Sequence, residues 1–129
     1  MSINAIIDAV RNFLTREMKR ITEDRDWLKK HVTDSDKLAK RMEYQENREQ
    51  KLTLLIAVLD LLDEPDAELR KAAVQTMLSF LERELEQVQK DSDWIRDNIV
   101  DTERREKRLS YQQWRNDQLI ILYALVHKL

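Results

Sequence analysis

Two short patterns carry most of the reactive side chains of this chain. Tyr-Gln-x-x-Arg occurs at Tyr44, Gln45 and Arg48 and again at Tyr111, Gln112 and Arg115. Asp-x-Asp-Trp occurs at Asp24, Asp26 and Trp27 and again at Asp91, Asp93 and Trp94. With Glu17 and Glu84 they supply carboxylates, amides and guanidinium groups at matching places. Four of these carboxylates, Glu17, Glu84, Asp24 and Asp91, invite comparison with a di-iron bundle, which also needs Glu-x-x-His on two helices. Three residues before His31 and His127 stand Leu28 and Ala124, so that ligand set is incomplete. In a helix, Asp24 and Asp26 point to different faces and make a poor chelate. No nucleophile elbow is present, and without any glycine there is no phosphate-cradling Gly-rich loop. These residues predict no enzyme, no cofactor and no metal.

The chain predicts its own repetition. Sliding it by 67 positions lays residues 5–62 over 72–129 without a gap, with 18 of 58 positions identical. Phe13/Phe80, Glu17/Glu84, Asp24/Asp91, Trp27/Trp94, Asp34/Asp101, Lys40/Lys107 and Arg41/Arg108 are among them. A tandem duplication is the simplest reading. It makes residues 1–129 a single helical domain with internal repeat units 1–64 and 65–129, divided near Pro65.

Each unit must be helical. Glycine is absent, Pro65 is the one proline, and charged residues make up 37% of the chain. Tight β-turns want glycine or Asn-Gly, so β structure is disfavoured. Apolar residues recur at 3–4 spacing through Ile3, Ile7, Val10, Leu14, Ile21 and Leu28, then through Leu38, Met42, Leu52, Ile56 and Leu59. Asp34 and Asp101 are suited to cap a second helix in each unit. The spacing predicts helices over 3–31, 34–62, 66–98 and 101–129, packed as an antiparallel four-helix bundle of two coiled-coil-like hairpins.

One unbroken helix per unit is the competing arrangement, because the apolar phase runs through residues 28–38. Charge pairing favours the hairpin. A turn near 32–33 sets Glu17 against Arg48 and Asp24 against Arg41, and the second unit sets Glu84 against Arg115 and Asp91 against Arg108. Two long antiparallel helices would instead face Glu17 with Gln112.

Gln45 and Gln112 fall on inward positions and read as a buried polar layer that fixes register. Taking 112, 116, 119, 123 and 126 as the inward stripe of the last helix, Trp114, Ile121 and Leu125 fall away from it, and Leu54 and Val58 do so in the second. A helix apolar all round is usually covered on both sides. These five residues are therefore the expected partner-binding surface, for another protein or a second copy. Trp114 is the sharpest of them, since its counterpart is Asn47.

The expected function is thus a non-enzymatic protein-interaction module: an adaptor, regulator or assembly factor. The alternative is nucleic-acid binding through Lys37, Lys40, Arg41, Arg104, Arg105, Lys107 and Arg108, two basic clusters near the hairpin turns. Against it stands a net charge of −2 and the nearby aspartates. The N-terminus lacks a basic leader, and the longest apolar run, Leu119–Val126, falls short of the roughly 20 residues of a membrane span. With no cysteine, the chain suits a reducing cytoplasm, and no membrane partner is expected.

Overall fold

A computed structural model describes residues 2–129. The fold is all-α: helix α1 (Ile3–His31), α2 (Ser35–Val58), a 3-10 turn (Leu59–Leu61), α3 (Ala67–Asn98) and α4 (Thr102–His127). Among the described residues there is no strand. The chain divides into two compact units, Met1–Asp66 and Ala67–Leu129. In the first, α1 packs on α2; in the second, α3 packs on α4.

Both hairpin turns are made by the same chemistry. α1 ends at His31 and α3 at Asn98, 67 positions later. The Asp34 carboxylate accepts from the backbone N–H groups of Asp36 and Lys37 at 3.0 and 3.1 Å. Asp101 accepts from Arg104 N–H at 3.1 Å. Each aspartate satisfies donors that the first helical turn leaves open. The turn therefore wins over continuous helix, although the apolar phase allows both. Ser2 caps α1 in the same way, accepting from Ala5 N–H at 3.2 Å.

The cores follow the 3.6-residue period. α1 buries Ile6, Ile7, Val10, Phe13, Leu14, Ile21 and Leu28 along one stripe. α3 buries Ala73, Met77, Leu78, Phe80, Leu81, Val88 and Ile95. α4 buries Arg115, Leu119, Leu122 and Val126, so its inward stripe keeps 119 and 126 of the expected 112, 116, 119, 123 and 126 and takes 115 and 122 in place of their neighbours 116 and 123. The end of α2 also differs from expectation. After Val58 the chain tightens into the 3-10 turn, a common way to close a helix terminus. Leu59 and Leu62 remain fully buried there.

One ion pair ties each hairpin at mid-length. Arg48 Nη2 donates to Glu17 Oε2 at 3.2 Å, and Arg115 Nη2 donates to Glu84 Oε2 at 2.5 Å. Both match the register deduced from charge. The second pair is the drier, with side chains 9% and 6% exposed. Arg25 adds a pair with Glu49 that simple register does not place opposite it; the long arginine side chain spans the offset.

Candidate functional site

The last turns of α1 and the first turns of α2 enclose a cleft of about 410 Å³ in the first hairpin. Asp24, Trp27 and Leu28 line it from α1, and Lys40, Arg41, Tyr44 and Gln45 from α2. The i, i+3 and i+4 spacings put each set on one helical face. Leu28 is buried, whereas Trp27 and Tyr44 are 53% and 55% exposed. Two large aromatic surfaces thus flank an apolar side chain and remain in reach of solvent. His31 stacks on Trp27, ring centroids 4.6 Å apart and 16° from parallel, and its Nδ1 lies 2.9 Å from the Trp27 carbonyl oxygen. His31 is the neighbour of Trp27 one turn along the same helix.

The polar groups of this cleft are incompletely satisfied. Burial raises the Asp24 carboxyl above its ordinary value of 3.8; Arg20 and Arg48 oppose the shift, and Glu23 and Glu17 reinforce it. The expected partner, Arg41, lines the same cleft but forms no ion pair with Asp24. The register is right, yet the cleft opens between their side chains. The Gln45 amide oxygen is buried without a hydrogen bond, and so is that of Gln112 in the second hairpin. The expected polar layer is therefore present in position, but it is not closed by partners. An unpaired buried acceptor is costly and rare.

The second hairpin carries the same residue types at the corresponding positions: Asp91, Trp94, Lys107, Arg108, Tyr111 and Gln112, with Ile95 for Leu28. Their contacts differ. Gln87 Nε2 donates to Asp91 Oδ1 at 2.9 Å, where the first hairpin has Arg20. Tyr111 lies against Trp114, with centroids 6.0 Å apart. Asp91, like Asp24, forms no ion pair with the arginine expected opposite it, here Arg108. Gln112 borders a small polar cavity of about 90 Å³ with Ser92, Arg96 and Asn116.

The expected partner surface divides by exposure. Trp114, Leu54 and Ile121 are 48%, 63% and 59% exposed, while Val58 and Leu125 are half-buried. Ile120, 52% exposed, was not anticipated. The signal for it lay in the run Leu119–Leu122, since four successive residues cannot all face inward on a 3.6-residue period. Of the basic residues, Lys37, Lys40, Arg41, Arg104, Lys107 and Arg108 are exposed and Arg105 is half-buried. Among the described residues no group of three or more His, Asp or Glu side chains is placed to hold a metal ion. No described helix is long and apolar enough to cross a membrane. No known protein family matches the chain, and neither does any curated protein or solved structure.

Proposed function

We propose that this chain is a non-enzymatic protein-interaction module, an adaptor, regulator or assembly factor, that docks through the outer side of α4. The observation that carries the reading is a half-exposed Trp114 followed two turns later by an exposed Ile121. Their helix already buries a separate stripe through Arg115, Leu119, Leu122 and Val126. Tryptophan in water gains most from a partner, and tryptophans are frequent energetic anchors of interfaces. Leu54 on α2 offers a second exposed apolar contact. The two halves are read as copies of one hairpin, and Trp114 as the feature by which the second copy diverged.

A second copy of the chain is one candidate partner. Sedimentation of wild type and Trp114→Ala over a wide concentration range tests it, alongside capture of partners from host extract. Loss of self-association or of captured partners in the variant is the expected result. A wild type that stays monomeric, together with an unchanged set of partners, would remove the proposal.

One observation favours nucleic acid as a second reading. The aspartates expected to neutralise Arg41 and Arg108 do not pair with them, so the basic clusters are less self-screened than their composition implies. Phosphate binding by these cations would weaken steeply with salt. A gel shift with single-stranded RNA and DNA over a salt series checks this, and no shift at low salt ends it.

A further inference from the structure

We propose that the cleft between α1 and α2 of the first hairpin binds the base and phosphate of a guanine nucleotide, either free or within a single strand. The inference rests on the nucleic-acid reading and gives it a site and a base.

The shape and chemistry of the cleft lead there. Its volume, about 410 Å³, falls in the range of small-molecule sites. Trp27 and Tyr44 line it with much of their ring surface uncovered, and a planar base is the ligand that two such rings hold by stacking. His31 covers part of Trp27 and steadies the indole. Lys40 and Arg41 stand on the same helix face as Tyr44, one turn earlier, where a phosphate attached to a stacked base would need its counter-charge.

The remaining wall selects the base. Asp24 is ionisable, half-buried and without an ion-pair partner, and Gln45 carries a buried amide oxygen with no hydrogen bond. Both are acceptors, so a ligand edge rich in N–H donors satisfies them. Guanine is the common base with two adjacent donor groups, N1–H and N2–H, on its pairing edge; adenine, cytosine and uracil have no two adjacent donor groups there. A carboxylate accepts both guanine N–H groups at once, as it accepts an arginine fork. An arginine side chain from a protein would match the acceptors too, but Lys40 and Arg41 repel it.

One site per chain is expected. In the second hairpin Gln87 already holds the Asp91 carboxylate, and Tyr111 lies on Trp114.

Calorimetric titration of the full chain with GMP, AMP, CMP and UMP tests the free nucleotide. Uridine hexamers carrying one guanine, one adenine or neither test the strand. Expected is one site with a preference for guanine over adenine of roughly tenfold or more, the scale of a specific base contact. Tyr44→Ala should weaken guanine binding by roughly tenfold, the scale of one stacked base. Asp24→Asn, close in size, should erase the preference while keeping phosphate-dependent binding. Binding of GMP assigns the free nucleotide; binding of the guanine hexamer alone assigns the strand. The proposal is overturned if guanine is not preferred, or if neither variant changes binding. Hexamer binding that survives both variants but falls in Lys107→Glu/Arg108→Glu leaves the phosphate reading standing without this site. No binding of GMP or of any hexamer at low salt removes both.

Discussion

At the scale of single residues, the two mid-hairpin ion pairs and Asp24 have opposite energetics. Glu84 and Arg115 are buried and bonded to each other, so removing one partner strands a charge in a dry environment. Arg115→Met should cost about 3–5 kcal/mol in denaturant unfolding, and Glu84→Leu/Arg115→Met together much less than the sum of the singles. Asp24 lacks such a partner, and its carboxyl is raised above 3.8. The folded chain therefore holds that proton more tightly than the unfolded chain. The stability contributed by Asp24 is complete below 3.8 and is lost as pH rises through its folded value. Thermal melts from acid to neutral pH should show Asp24→Asn gaining on wild type as pH rises; a constant difference would contradict this. For Asp24 and Arg41, sequence register places the backbones opposite one another. It does not say whether side chains meet or leave a cleft between them.

At the scale of elements, the sequence was most legible where local chemistry and periodicity agreed. Asp34 and Asp101 decided the turns that the continuous apolar phase left open, and their side chains cap α2 and α4. Replacing Asp34 with Ala should cost about 1 kcal/mol, the usual worth of such a cap, measured by chemical denaturation. The register between α1 and α2 was legible from Glu17 and Arg48 because their pairing links residues 31 positions apart. Swapping the two charges, Glu17→Arg with Arg48→Glu, should recover much of the stability that either single reversal loses; additive losses would refute the register. The close of α2 was less legible. The apolar pattern continues through Leu59 and Leu62, and only the hydrogen bonding distinguishes the 3-10 turn from further α-helix. The α4 stripe was displaced for a similar reason: Gln112, Asn116 and Tyr123 have the right spacing but are only half-buried, and buried Arg115 and Leu122 centre the stripe instead.

At the scale of the whole molecule, the two units carry matching residue types whose contacts differ. Six of the seven side chains around the first cleft recur in the second unit, yet there Gln87 engages Asp91 and Trp114 lies against Tyr111. A sequence comparison between halves could find the common set. It could not show which copy keeps its groups uncommitted, because that depends on side-chain contacts made by the residues that differ. The central claim, that α4 presents a docking face around Trp114, is tested most directly by quantitative affinity capture from host extract with wild type and Trp114→Ala/Ile121→Ser as baits. At least one protein, a second copy of the chain included, is expected to be depleted roughly tenfold or more with the variant, the loss expected for an interface anchor. The same proteins captured in the same amounts by both baits would contradict it.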